Sequence, residues 1–294
     1  MCYNNRAARE KQSSPGPIGT LQITGQRTKV CCPFDPNGTE DKEHRMLLLT
    51  KWYRKDAVWF SVGWIILYVV GFGNADALSE QIGIPKLLTV VFGLAMAVVL
   101  LSFIGKNHLE QELGLIKPGQ KAKAYLYYAP LLILVSVNFW QKPVFDTPLF
   151  ETVLFIFSMA LVALLEEVIF RGLMFGSLRK ISLTAAYLVS SLAFGAGHAV
   201  NLLMGAPVPD TLLQLLYASA AGFCFTALCD VSGSLLPCIA VHALVNACSI
   251  FAPEHTLPMQ LLTAAATTVT SLLYGGWLLK QKYRLPVINK EEHP

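Results

Sequence analysis

Charged residues are scarce in this chain. Asp, Glu, Lys and Arg make up 14% of its 294 residues, whereas soluble globular domains carry about 25%. Hydrophobic residues make up 54% of the chain, and the mean hydropathy is +0.49. The deficit of charge excludes an ordinary soluble domain and predicts an integral membrane protein with several spans, whose surroundings are the lipid bilayer.

A basic stripe and a paired set of cysteines are also missing. The net charge is only +4, and the cations lie beside apolar runs, so nucleic acid is not a predicted partner. The seven cysteines include the pair Cys31-Cys32, which has no second CxxC or His pair nearby and is interpreted as reduced and cytosolic rather than zinc-binding. Four others lie in or beside apolar runs and are predicted to pack as small hydrophobic residues: Cys224, Cys229, Cys238 and Cys248.

No apolar run lies near the start of the chain. The first begins near Ala57, too late for the apolar core of a cleaved signal peptide. The preceding residues 1–55 are rich in Ser, Pro, Gly, Lys and Arg and are predicted to be a cytoplasmic, mostly disordered segment. A membrane domain is predicted over 56–282, with its motif core at 148–251, followed by a cytoplasmic tail at 283–294.

About 20 apolar residues cross the bilayer core as a helix. The chain has runs of this kind at 57–75, 87–105, 124–140, 148–178, 183–203, 211–229, 232–251 and 258–279. The predicted fold class is therefore all-α, a polytopic transmembrane helix bundle of about eight spans. No internal repeat is evident.

The Lys and Arg residues between the spans predict the orientation of the bundle. With a cytoplasmic N-terminus, the outside loops hold only Lys86 and Lys142, and the remaining loop cations lie inside. An even number of spans then places both termini in the cytoplasm. The predicted location is a bacterial cell membrane.

Polar residues lie inside three of the apolar runs. Glu166 and Glu167 lie in the fourth run with Arg171 close behind, the fifth run contains His198, and the seventh contains His242. At 1.5 Å per residue, Glu166, His198 and His242 lie roughly 18, 22 and 14 Å above the cytoplasmic ends of their spans. Because ionisable residues at membrane depth are costly, these groups predict a catalytic cavity within the membrane.

Helical spacing suggests how these residues divide their roles. Glu167 and Arg171 are four apart and can pair on one face, whereas Glu166 is turned by about 100° from its neighbour and is predicted to face the cavity. Phe194 and His198 are also four apart. Gly195 and Gly197 beside them are predicted to allow another helix to approach closely.

The polar groups together predict hydrolysis of a peptide bond. Glu166 and His198 are predicted to hold and deprotonate a water molecule. His242 and Asn246, four apart on one face, are predicted to donate to the oxyanion that forms on the carbonyl. The expected substrate is a peptide or protein with access to the membrane.

The segments EEVIFR, FGAGH and HALVN resemble the EExxxR, FxxxH and HxxxN motifs of the CPBP intramembrane proteases. That family includes the type II CAAX prenyl endopeptidases and the Abi bacteriocin-immunity group. The resemblance implies an eight-helix membrane peptidase with catalytic Glu166, His198, His242 and Asn246. CAAX-type proteins, bacteriocin peptides and peptide pheromones are possible substrates.

Several alternatives remain open at the level of the sequence. The glutamates can form a structural ion-pair network, and the histidines or Asn246 can bridge helices. Two His and one Glu are a possible Zn²⁺ ligand set, but there is no HExxH motif and Asn is a poor zinc ligand, so hydrolysis without a metal cofactor is the prediction. A non-enzymatic immunity or scaffold protein is an alternative function. A proton-coupled transporter is another, disfavoured by the missing repeat.

Overall fold

The computed structural model describes residues 39–118, 128–254 and 256–284. Within these residues the regular structure is entirely helical. The α-helices are α1 Thr39–Lys55, α2 Ala57–Ile82, α3 Leu87–Lys106, α4 Leu131–Ser136, α5 Leu149–Glu166, α6 Gly176–Leu178, α7 Leu183–Gly197, α8 Val200–Leu203, α9 Val208–Ser232, α10 Leu236–Cys248 and α11 Leu257–Arg284. A π-helix, Glu167–Phe175, joins α5 to α6, and 3-10 turns follow α4 at Val137–Phe139 and α10 at Ser249–Phe251. The predicted all-α, polytopic fold class is confirmed.

Six helical segments in the described part of the chain are long and apolar enough to cross a membrane. They are Ala57–Ile82, Leu87–Lys106, Leu149–Leu178, Leu183–Leu203, Val208–Ser232 and Leu257–Lys282. The seventh predicted span corresponds to a shorter apolar helix, Leu236–Phe251. The six long helices support an integral membrane protein, although the predicted number was about eight.

The third predicted span, 124–140, is not a continuous helix in its described part. Helix α4 begins only at Leu131, directly after Pro130, and ends at Ser136. Proline has no N–H to donate into the turn before it, which explains why the helix starts after Pro130. Residues 124–127 lie outside the described residues.

The segment predicted to be mostly disordered ends in a helix. Helix α1 covers Thr39–Lys55, and α2 begins after Asp56, whose carboxylate accepts from the backbone N–H groups of Val58 and Trp59 at 3.1 and 3.0 Å. This side-chain cap satisfies two N–H groups that have no partner inside the helix. The rest of that segment, with Cys2 and Cys31-Cys32, lies outside the described residues, as does the tail beyond residue 284.

Close helix packing follows from small residues. Helix α9 packs against both α7 and α11, and α10 packs against α5 and α4. A Cβ added at Gly195 of α7 would lie 1.9 Å from Ser219 Oγ and 2.8 Å from the Leu215 carbonyl oxygen of α9. The predicted close approach at Gly195 is therefore present. A Cβ at Gly197 would meet no atom within 4 Å, so the same expectation for Gly197 was wrong.

Polar contacts tie the helix ends together at the end of the bundle where α1 finishes. The Tyr53 hydroxyl donates to Glu112 Oε1 at 3.2 Å, and Lys180 pairs with the same carboxylate. Burial, followed by the charge of Glu112 and this hydrogen bond, raises the pKa of Tyr53 to about 12. Tyr53 therefore stays protonated, and able to donate, throughout the neutral range.

Candidate active site

A π-helix carries most of the first motif. Glu166 is the last residue of α5, and the π-helical segment begins at Glu167 and contains Arg171. A π-helix has one more residue in each hydrogen-bonded turn than an α-helix, and such segments often mark functional sites. The two glutamates therefore lie at the junction of α5 and the π-helix, and both contact His242 of α10.

Glu167 forms a fully buried ion pair with Arg171, as predicted. Glu167 Oε1 lies 3.0 Å from Arg171 Nη1, and both side chains are inaccessible to solvent. The guanidinium carbon lies 4.1 Å from the centre of the Phe194 ring, on the next span. Because the guanidinium has few other polar partners, this cation–π contact helps to hold Arg171 in the protein interior.

Glu166 lies on the wall of a cavity of about 660 Å³. It is 7% exposed, and the Tyr68 hydroxyl of α2 donates to its Oε1 at 2.6 Å. The same cavity is lined by the other three residues that were predicted to be catalytic, His198, His242 and Asn246. The structure thus brings all four residues to one cavity between the helices.

His242 lies between the two glutamates. Its Nδ1 is 2.8 Å from Glu167 Oε1, and its Nε2 is 3.4 Å from Glu166 Oε2. The ring is also flanked by Phe194 and Phe225, at 5.7 and 5.6 Å between ring centres. The strong contact to Glu167 fixes the orientation of the imidazole, and the looser one leaves Nε2 directed at the cavity side of Glu166.

His198 reaches the cavity from α7 but contacts a different partner. It lies directly after the last turn of α7, and its ring packs edge-on against Phe194 at 5.6 Å between ring centres. Its Nδ1 lies 3.3 Å from Gln214 Nε2, and Gln214 Oε1 accepts from Asn201 Nδ2 at 2.7 Å. In the described part of the chain, His198 and Glu166 share the cavity without a direct hydrogen bond.

Three polar residues of this site had not been singled out in the sequence. Tyr68 contacts Glu166, Gln214 contacts His198, and Asn138 of the turn after α4 donates to the Val245 carbonyl oxygen of α10 at 2.9 Å. Each is a hydrogen-bonding side chain inside an apolar run, which is the signal that could have identified it. None belongs to the three motifs.

The donor set does not have the arrangement of a metal centre. Among the residues that the structure describes, no group of three or more His, Cys, Asp or Glu side chains is placed to hold a metal ion. His242 faces a carboxylate oxygen with each of its two ring nitrogens, and His198 Nδ1 faces Gln214.

Comparison with known families now adds to this geometry. The family described as "Type II CAAX prenyl endopeptidase Rce1-like" matches residues 148–248. This segment is Rce1-like. The match begins just before α5 and ends at the last residue of α10, so the Rce1-like segment contains Glu166, His198, His242 and Asn246.

The family match confirms the resemblance that the three motifs carry. The Rce1-like family is a family of proteases that includes CAAX endopeptidases. Searches of curated proteins and of solved structures gave no match.

Proposed function

We propose that this protein is a membrane-embedded endopeptidase in which Glu166 activates water for attack on a peptide carbonyl. The observation that carries the proposal is the unequal placement of the two glutamates. An ion pair with Arg171 needs one carboxylate, and Glu167 supplies it. Glu166 lies on the cavity wall, where, among the described residues, its carboxylate contacts only the Tyr68 hydroxyl and, at 3.4 Å, the His242 ring. A general base must be within reach of the water that it deprotonates, and this position allows it.

The proposed reaction needs no covalent intermediate. Glu166 takes a proton from water as the water oxygen bonds to the carbonyl carbon, and the carbonyl electron pair moves to the oxygen. When the C–N bond breaks, the proton on Glu166 passes to the departing nitrogen. His198, which is oriented through Gln214 and lines the same cavity, holds the water.

His242 and Asn246 are assigned to the oxyanion. The Nδ1–H of His242 donates to Glu167, so Nε2 can donate to the oxyanion when the ring carries both protons. The Glu167 carboxylate holds the ring in this orientation, as an acidic residue does for a catalytic histidine. Asn246 lies one helical turn further along α10 and lines the same cavity, where its amide N–H groups supply the second donor.

The experiment compares three purified proteins on one peptide mixture. Wild type, Glu166→Gln and Glu151→Gln are incubated in detergent with a peptide library, and the products are read by mass spectrometry. Glu151 lies in the first turn of α5, the helix that ends at Glu166, and serves as a matched control. We expect the same new termini from wild type and Glu151→Gln and none from Glu166→Gln.

Two other outcomes would contradict the proposal. Equal cleavage by all three proteins would remove Glu166 from the reaction. A library left intact by all three would favour the non-enzymatic immunity or scaffold function, in which the cavity binds a partner without hydrolysis. Cleavage of CAAX-type sequences, bacteriocin peptides or pheromone peptides would identify the substrate class.

A further inference from the structure

An ion pair lines the same cavity as Glu166. Lys86, which immediately precedes α3, places its Nζ 2.7 and 2.8 Å from the two carboxylate oxygens of Asp76 on α2. The hydroxyl of Thr89 donates to the same carboxylate at 3.0 Å. All three residues line the cavity, and among the residues that the structure describes Lys86 is the one lysine or arginine in its wall. The cavity therefore offers a cation as well as the proposed general base.

The backbone of Lys86 has a conformation that lysine rarely adopts. Its φ of 65° lies in the left-handed region, which is strained for a residue other than glycine. Capping of α3 does not explain this conformation, because a lysine side chain offers no acceptor to a helix N-terminus. The N–H of Leu88 is satisfied instead by Ser79 Oγ at 2.9 Å. The strained backbone does place the ammonium against Asp76, and strain of this kind is concentrated at functional sites.

The ammonium group of this pair can bind a further acceptor. An ammonium has three N–H groups, and in the described part of the chain Asp76 accepts from two of them. The Asp76 carboxylate already accepts three hydrogen bonds, counting the one from Thr89. Both side chains of the pair are partly exposed, 21% for Lys86 and 35% for Asp76. A negatively charged group in the cavity is therefore attracted to Lys86, whereas the carboxylate of Glu166 repels it.

The distance along α2 relates this pair to the proposed point of cleavage. Tyr68, whose hydroxyl donates to Glu166, and Asp76 are eight residues apart on α2, and both line the cavity. An α-helix rises 1.5 Å per residue, so their backbones are about 12 Å apart along the helix axis. An extended peptide rises about 3.3 Å per residue and covers this distance in about three to four residues.

We propose that the Lys86 ammonium binds a carboxylate of the substrate, about three to four residues from the bond that is cleaved. This carboxylate is the C-terminus of a peptide or the side chain of an Asp or Glu residue, since both present the same chemistry. Asp76 and Thr89 are positioning residues, because Asp76 holds the ammonium and Thr89 holds Asp76. The role in substrate choice rests on the proposed peptidase function, whereas binding of the carboxylate does not.

Matched peptides test this subsite in the purified full-length protein in detergent. In the peptide library, each sequence occurs with a free C-terminus or a C-terminal amide, and with Asp or Asn at each position. Mass spectrometry follows cleavage and gives the ratio of kcat/KM between each acidic peptide and its neutral partner. Fluorescence anisotropy measures binding of the same peptides, labelled with a fluorophore, to proteins that carry Glu166→Gln and therefore need not cleave them.

Four variants are compared with wild type in both measurements. Lys86→Gln removes the cation, and Lys86→Arg keeps it. Asp76→Asn removes the carboxylate that competes for the ammonium. Lys142→Gln is the matched control, since it removes the same charge from an exposed residue that does not line the cavity.

We expect wild type and Lys142→Gln to prefer the acidic peptide by about tenfold, as for a hydrogen bond to a charged group. Lys86→Gln should lose this preference, and Lys86→Arg should retain it. Asp76→Asn should increase the preference, whereas a salt bridge with only a structural role would give the same change in Lys86→Gln and Asp76→Asn. A preference for the free C-terminus or for an internal Asp identifies the source of the carboxylate.

The remaining outcomes separate this proposal from the peptidase function. Cleavage without a preference for acidic peptides, or with a preference that Lys86→Gln retains, would overturn the subsite and leave the peptidase function standing. Binding with a preference that depends on Lys86, but without cleavage by any of the proteins, would support the subsite and contradict the peptidase function. The absence of both cleavage and preferential binding would contradict both proposals.

Discussion

The two adjacent glutamates differ in what removing their charge does to the fold. Glu167 is the buried partner of Arg171 and of His242. Replacing it with Gln leaves a guanidinium buried without a carboxylate, which typically costs about 3–5 kcal/mol. We expect Glu167→Gln to lower the thermal unfolding midpoint in detergent, and the folded yield, as well as activity.

The same change at Glu166 is the control for this prediction. A Gln at 166 still offers an oxygen to the Tyr68 hydroxyl and removes no partner from Arg171. Its unfolding midpoint should stay near that of wild type. Equal midpoints for Glu167→Gln and wild type would contradict the structural role assigned to Glu167.

Asn246 is predicted to act on the transition state rather than on substrate binding. Loss of one preorganised oxyanion donor costs about 10²–10³ in kcat. Asn246→Ala should lower kcat by about this factor with little change in KM, because the donor strengthens only as the oxyanion forms. Asn246→Asp should be at least as harmful, since it adds negative charge beside the oxyanion. Steady-state kinetics on a quenched-fluorescent peptide measure both variants, and a raised KM with unchanged kcat would assign Asn246 to the substrate pocket.

Among the helices, α7 and α9 depend on a glycine at their crossing. A Cβ at Gly195 would fall within 2.8 Å of the Leu215 carbonyl oxygen, which is backbone and can move only with α9. Overpacking of this kind typically costs about 1–3 kcal/mol. Gly195→Ala should therefore lower the unfolding midpoint and, by moving α7, reduce activity.

Gly197→Ala is the matched substitution two residues further along α7. Its added methyl group would meet nothing within 4 Å, and Ala is the better helix former. The midpoint of Gly197→Ala should equal or exceed that of wild type. If the unfolding midpoint fell by a similar amount in Gly195→Ala and Gly197→Ala, close packing at the α7–α9 crossing would not be the reason for the loss of stability.

Helical periodicity predicted some of these elements and missed others. The spacing of Glu167 and Arg171 was enough to predict their ion pair, because residues four positions apart lie on the same face of an α-helix and of a π-helix. It could not predict the π-helix at Glu167, which depends on how this segment packs against α2 and α7. The short α4 was missed because hydropathy averages over a run, whereas Pro130 acts at one residue.

The contacts between side chains of the site were harder to predict than the residues that form it. The motifs were enough to bring Glu166, His198, His242 and Asn246 into one layer, and all four line one cavity. The contacts of His242 with both glutamates, and of His198 with Gln214, depend on side-chain directions across separate helices. Spacing along one helix carries no information about such contacts.

For the molecule as a whole, activity is predicted to be independent of metal. The proposed reaction uses carboxylate, imidazole and amide groups of the chain alone. Exhaustive chelation should leave the cleavage rate intact, and elemental analysis should find well under one Zn²⁺ per chain. A stoichiometric zinc whose removal and return switch activity off and on would contradict this prediction.

The central claim is that the protein is a peptidase and that Glu166, in the cavity between its helices, is the general base. The most direct measurement is the single-turnover cleavage rate of wild type and Glu166→Gln on the same peptide, with equal unfolding midpoints as the condition for comparison. General-base catalysis contributes about 10²–10⁴ in rate, so we expect Glu166→Gln to be slower by a factor in this range. A folded Glu166→Gln protein that cleaves at the wild-type rate would contradict the account.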